Sequence, residues 1–275
     1  MTKLHLRLGA LCLGALCVSM PPASAGEKTI QEKETLVVSG YLLNNNVWGK
    51  DTSPAGWQLV DVIQPGEKLT WRVRYNWPAG TNPHGVKCYP SVVTGWQWGA
   101  WSTDGRLPMP VSELAQAVSS ASVKVVNPGV QNLAYDLWFH AAAPVRSEDK
   151  PSDELMIWMG RYGGAGPLGE LRAKVRIDGA EWSLYVGDIG WKVFSFVREE
   201  TTTAWRVDVK AFIDHLVAQG LMPATKQLSS IQFGTEVFSS PGDASLEVAD
   251  YHVAIERRGA AKPETTNDDS TSRGR

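Results

Sequence analysis

The chain has 275 residues, with 27 Lys plus Arg against 29 Asp plus Glu and a formal net charge of −2 at pH 7. This balance and the lack of a basic stripe argue against nucleic acid as a partner. His84, His140, His215 and His252 are scattered, and none pairs with another His or Cys at metal-ligand spacing, so neither a metal nor another cofactor is expected.

The N-terminus reads as an export signal. Lys3 and Arg7 precede an apolar run from Leu8 to Val18, and Ala23-Ser24-Ala25 is a small-residue cleavage site. That run is too short to span a bilayer. The expectation is a bacterial signal peptide over 1–25 and a secreted product, extracellular or periplasmic, with no membrane contact once cleaved. Cys12 and Cys17 follow Leu11 and Leu16, not the small residues that a lipidation signal would want. Export leaves Cys88 as the one thiol, so no internal disulfide can form and the fold must rest on its own core. Residues 26–35 read as a polar, loose leader and 36–257 as a single domain. Residues 258–275, charged and rich in Ser and Thr, read as a disordered tail.

Short strands punctuated by turn signals then follow one another. Leu36 to Leu43 is β-rich. Lys68 to Asn76 alternates, with Leu69, Trp71, Val73 and Tyr75 on one face. Gly85 to Val93 and Gly95 to Ser102 are further candidates, while 111–122 is ambiguous between strand and short helix. In Asn132 to His140, Tyr135, Leu137 and Phe139 face away from Asp136, Trp138 and His140. Leu155 to Tyr162, Leu171 to Ile177, Glu181 to Val186, Trp191 to Val197, Ser229 to Phe238 and Leu246 to Ile255 complete the series. One helix is expected from Asp208 to Gly220: Asp208 suits the cap, and Val209, Phe212, Ile213, Leu216 and Val217 form an apolar stripe for the outside of the sheets. Many strands and one helix argue for an all-β sandwich or jelly roll.

Two strands carry chemistry. Glu154, Met156 and Trp158 share a face, as do Gln232, Gly234, Glu236 and Phe238. A carboxylate in line with an aromatic ring, twice, suits an enzyme that grips a sugar and cleaves its glycosidic bond with a proton donor and a second carboxylate. Neighbouring strands lie about 4.8 Å apart, so two facing glutamates could meet the roughly 5–5.5 Å separation of a retaining pair. Asp136, on the same side as Trp138, could raise the proton affinity of one of them and hold it by a hydrogen bond. A solvated strand residue is the common alternative for each acid. The setting of Glu154 and Glu236 among Met156, Trp158, Gly234 and Phe238 favours function. The twelve tryptophans exceed what a core needs, and exposed indoles suit pyranose faces. No Gly-x-Ser-x-Gly elbow occurs, and Gly163 to Pro167 lacks the Lys-Ser/Thr of a phosphate loop, so it reads as a tight loop at a cleft mouth. Cys88 reads as a small buried residue.

With these residues the chain resembles glycoside hydrolase family 12, the jelly-roll endoglucanases of clan C, from about Leu36 to Glu256. Asn44-Asn45-Asn46-Val47-Trp48-Gly49 is similar to the family's Asn-Asn-x-Trp-Gly element, and Val86-Lys87-Cys88-Tyr89-Pro90 to its Val-Lys-x-Tyr strand. Ala134-Tyr135-Asp136, Glu154-Leu155-Met156-Ile157-Trp158 and Phe233-Gly234-Thr235-Glu236 with Phe238 follow in family order. The resemblance implies a β-jelly-roll sandwich of two curved antiparallel sheets with one packed α-helix. It implies a retaining endo-β-1,4-glucanase acting on plant polysaccharide, with Glu154 as nucleophile, Glu236 as acid/base and Asp136 orienting Glu154. It places Asn46, Trp48, Met156, Trp158, Phe238 and the Pro167 loop against bound glucosyl units. A monomer is expected. Xyloglucan-specific hydrolysis is the alternative within the class, and a non-catalytic carbohydrate-binding sandwich the alternative outside it. A related xylanase jelly roll fits the Asn-Asn-x-Trp-Gly and Glu-Leu-Met-Ile-Trp elements less well.

Overall fold

The computed structural model describes residues 28–259. The first strands are β1 (Lys28–Ile30), β2 (Thr35–Val38), β3 (Tyr41–Asn44), β4 (Trp57–Gln64), β5 (Leu69–Asn76) and β6 (Ser91–Gln97). Two short strands, β7 (Ala100–Trp101) and β8 (Met109–Pro110), precede β9 (Leu114–Val126), β10 (Val130–His140) and β11 (Asp153–Tyr162). Then come β12 (Glu170–Ile177), β13 (Ala180–Asp188), β14 (Lys192–Arg198), β15 (Ala204–Asp208) and the helix α1 (Val209–Ala218). β16 (Gln227–Gly234), β17 (Val237–Ser239) and β18 (Ala244–Arg257) complete the fold.

These strands form two sheets, the layers of a jelly-roll sandwich. The smaller runs β1-β4-β5-β18-β9-β15, and the larger β12-β13-β14-β11-β10-β16-β6-β3-β2, with β7, β8 and β17 attached. The main core lies between them. It takes Trp71, Val73 and Tyr75 from β5, Tyr135, Leu137 and Phe139 from β10, and Leu155 and Ile157 from β11. β5 alternates buried and half-buried residues along its length because its other face meets solvent. β10 and β11 are buried on both faces over most of their length. Their second face is the floor of a concavity, where Ala134, Met156, Trp158, Val193, Val197 and Phe238 form a separate apolar cluster.

Four expectations need correction. Lys28–Ile30, expected in a loose leader, is a strand paired antiparallel with β4. Ile30 buries its side chain in the core, and the Asn45 amide donates to the Ile30 carbonyl at 2.9 Å. The sheets are not wholly antiparallel: β14 lies parallel to β11 because the β12-β13-β14 meander folds back beside it. Gly85 to Pro90 is irregular apart from a bridge between Cys88 and Val237, and the strand begins at Ser91. The helix is not an outer decoration. Val209, Phe212, Ile213 and Leu216 belong to the main core, and Phe212 packs edge-on against Trp182 and Phe196. Asp208 caps α1 by accepting from the Lys210 N–H, and Gly220, at φ +68°, supplies the left-handed turn that ends it. The 111–122 segment resolves into a single helical turn followed by β9. The expected signal peptide over 1–25 and, from residue 260 onward, the tail expected over 258–275 lie outside the described residues.

Candidate active site

The concave face of the larger sheet holds a cavity of about 1030 Å³. Glu154, Glu236, Asp136, Asn46, Trp48, Met156, Trp158, Phe238 and Pro167 all line it. Strand alternation accounts for this: Asp136 pairs across to Met156 on β11 and to Gln232 on β16, so all three point the same way. Glu154 sits opposite Trp138 on β10, at one end of that face. Glu236 follows β16 at the other end, where its carbonyl accepts from the Asn132 N–H at 3.1 Å. The two glutamates are therefore not on neighbouring strands: β10, carrying Asp136, runs between them. The adjacent-strand geometry considered from the sequence gives way to a pair carried on either side of the Asp136 strand. Their carboxyls still lie within electrostatic range, since each raises the proton affinity of Asp136 and Glu236 raises that of Glu154.

Local sequence fixes each acid. Gly234 passes so close to Pro90 that a Cβ there would lie 2.1 Å from its carbonyl oxygen. Thr235 turns inward, its hydroxyl donating to the Asn132 carbonyl at 2.5 Å and accepting from Gln131 at 3.3 Å. Glu236 consequently turns out into the cleft. There the Asn132 side chain clamps it twice, donating to Oε2 at 2.6 Å and accepting from the Glu236 N–H at 2.7 Å. Glu154 Oε2 accepts from the Trp191 indole N–H at 2.8 Å. In the Asn-Asn-x-Trp-Gly element, Asn45 is structural: fully buried, it bonds Ile30 and Gln58. Asn46 lies in the cavity wall and accepts from the Trp48 N–H at 3.1 Å, which leaves its NH₂ free to donate. A Cβ on Gly49 would lie 1.9 Å from the Val86 carbonyl oxygen, so no other residue fits there.

All three carboxyls are held above their ordinary proton affinities. Burial pushes Glu154 up to about 8, with the Trp191 N–H lowering it and the Glu236 charge raising it further. Desolvation takes Glu236 to about 7 against the lowering effect of the Asn132 bond. Burial, then Glu154 and Glu236, raise Asp136 well above the usual carboxylate range, and its Oδ1 is buried without a hydrogen-bond partner. Three interacting acids of this kind share protons as one set. The described residues hold no group of acids, His and Cys able to bind a metal ion.

The aromatic residues divide into floor and platform. Trp158, expected to stack on a sugar, is only 1% exposed, and Met156 and Phe238 are buried as well. They shape the floor, whereas Trp48 is 64% exposed and can offer a whole ring face. Pro167 is half-buried beside exposed Gly166 and Leu168 in the loop at the cleft mouth. Asn132, Trp191, Trp98 and Tyr89 were not singled out from the sequence as site residues. Asn132 and Trp191 bond acids 104 and 37 residues away in the chain, a relation that periodicity does not carry.

Neighbouring carboxyls of raised proton affinity in an aromatic groove on a jelly-roll sheet are the equipment of a glycoside hydrolase. Residues 39–256 match the model of glycosyl hydrolase family 12, and the chain belongs to that family. Endoglucanase S of Pectobacterium parmentieri is 33% identical over 256 residues, 90% of this chain and 94% of that protein. Xyloglucan-specific endo-beta-1,4-glucanase A of Emericella nidulans is 31% identical over 81% of this chain and 88% of its own length. Among solved structures, the native family 12 xyloglucanase from Bacillus licheniformis matches with a TM-score of 0.74 at 30% identity, over 84% of this chain and 100% of that one.

Proposed function

We propose that the protein is an exported, monomeric endo-β-1,4-glucanase that cuts glucan polysaccharide with retention at the anomeric carbon. Ionised Glu154 attacks that carbon through Oε1, since Oε2 is engaged by Trp191. As the new C–O bond forms, the bond to the leaving glycosyl oxygen breaks and Glu236 gives that oxygen its proton. A water then attacks the same carbon, Glu236 takes its proton, and the ester bond breaks to restore the Glu154 carboxylate. Asp136 keeps its proton and offers it to Glu154 as a hydrogen bond. Of the proton distributions open to this coupled trio, the reactive one has Asp136 and Glu236 protonated and Glu154 ionised.

The observation that carries this reading is the cluster of Asp136, Glu154 and Glu236, raised in proton affinity by burial, in a cavity walled by tryptophan. Trp48 stacks on a glucosyl unit, Asn46 donates to a hydroxyl, and Met156, Trp158, Phe238 and Pro167 shape the subsites around the cut. Incubation with a 2-deoxy-2-fluoro cellobioside bearing a good leaving group tests the assignment. A stable adduct on the peptide containing Glu154 is expected, and labelling elsewhere would overturn it. Preference for a xyloglucan backbone is a second reading, favoured by the names of the Emericella and Bacillus relatives and by the exposed apolar side chains of Leu168 and Ile189 in the cavity wall. Initial rates on xyloglucan, mixed-linkage glucan and carboxymethyl cellulose separate the two.

A further inference from the structure

Four indoles gather at the Glu154 end of the cleft, away from Trp48. Trp98 lies 4.9 Å from Trp96 and 6.3 Å from Trp191, and Trp138 lies edge-on to Trp191 at 5.7 Å. The Lys150 ammonium sits 5.4 Å from the Trp191 ring centroid. Trp96 anchors the group by donating to the Arg146 and Ser147 carbonyls at 3.1 and 3.0 Å. Trp191 is thus braced by rings and a cation, while its one polar atom donates to Glu154 Oε2.

We propose that Trp191 is a positioning residue for Glu154, beside Asp136: its indole N–H fixes one carboxylate oxygen and favours the ionised form, so that the other oxygen is presented to the anomeric carbon. This rests on Glu154 being the nucleophile. The other groups facing Glu154 cannot do both. The Glu236 charge opposes ionisation of Glu154, and Asp136, the second donor proposed above, can itself lose its proton and then no longer donates. The Tyr89 hydroxyl is committed to the Ala134 carbonyl at 3.1 Å. Lys150 reaches the acid only through the ring it covers. An indole N–H is a donor with no acceptor capacity, so it always supports the anion and never takes a proton from it.

The test is Trp191→Phe, which keeps a ring in the box and removes the donor. Loss of a hydrogen bond to a charged group predicts a fall in kcat of roughly 10- to 100-fold with KM nearly unchanged. Without the donor Glu154 holds its proton more strongly, so the acid limb of the kcat/KM profile moves upward by about one pH unit. Trapping by the 2-fluoro glycoside should slow by the same factor as kcat. An unchanged kcat, a change confined to KM, or a loss with an unmoved acid limb would overturn the proposal. A readout independent of that variant is the indole N–H signal of the wild-type protein in a ¹⁵N-labelled NMR sample. One downfield indole resonance should move with pH and be displaced in Glu154→Gln, and its absence counts against the bond. Full turnover by Glu154→Gln would sink the assignment of Glu154 itself, a different failure from a neutral Trp191→Phe.

Discussion

The molecule buries carboxylates in two ways. On the smaller sheet, Asp61 is fully buried, but Arg74 bonds both of its oxygens at 2.8 and 3.1 Å, Arg72 reaches it at 3.4 Å and Thr29 at 2.8 Å. Burial alone would raise its proton affinity. The Arg74 and Thr29 hydrogen bonds and the two guanidinium charges hold it below the usual value instead. Asp153, next in the chain to Glu154, is likewise paired with Lys226. In the cleft, Asp136, Glu154 and Glu236 have no cation among their partners, and their affinities rise. The fold can neutralise a buried acid one residue away from Glu154, so the lack of a cationic partner sets the cleft trio apart from Asp61 and Asp153. It is the condition a proton-shuttling pair requires.

The sharpest way to break this contrast is to delete the cleft acids. Glu154→Ala or Glu236→Ala should each cut turnover at least about a thousandfold while the protein stays folded, checked by initial rates and circular dichroism. Asp61→Ala should do the reverse. Loss of its charged hydrogen bonds should cost about 2 kcal/mol, lowering Tm by roughly 4–8 °C with the pH–rate profile unmoved, as thermal melts and rate profiles would reveal.

The two kinds of acid also predict opposite pH dependences of stability. The folded value of Asp61 is depressed, so its contribution is present above its unfolded value of about 3.9 and fades as acid is added below that. The cleft glutamates are raised to about 8 and 7, so their contribution is present below the unfolded value and is lost as pH climbs through neutrality. Wild-type Tm should therefore decline between pH 5 and pH 8, and Glu154→Gln should decline less across that range. The smallest effect should come from Trp48→Ala. Loss of one exposed platform is expected to raise KM on long oligosaccharides up to about tenfold and leave the pH profile in place.

Much of both sheets was legible because alternation reports burial directly. β5 and β10 place their core and outward residues as their sequences indicate. β4 escaped notice because Gln58 and Asp61 interrupt its apolar pattern. Both are buried by partners remote in sequence, Asn45 and Trp77 for Gln58 and Arg74 for Asp61. β1 carries a single apolar anchor, Ile30, and no period can be read from three residues. The nine proposed site residues could be placed in one cleft because they sit in motifs whose spacing follows the strands. What strand spacing could not supply was strand order, hence the surprise that β10 separates the two glutamates. It also could not supply Asn132 and Trp191, whose importance lies in the oxygen at the far end of each hydrogen bond.

Cys88 has a practical consequence. It is the one cysteine among the described residues, fully buried between Lys87 and Tyr89, and burial raises its thiol well above its ordinary value. A thiol kept neutral and out of solvent is a poor target for oxidants and alkylating agents. Cellulose digestion mixtures that contain millimolar reductant should leave this domain's architecture untouched, and a reducing bacterial cytoplasm should serve as well as an oxidising compartment for producing it.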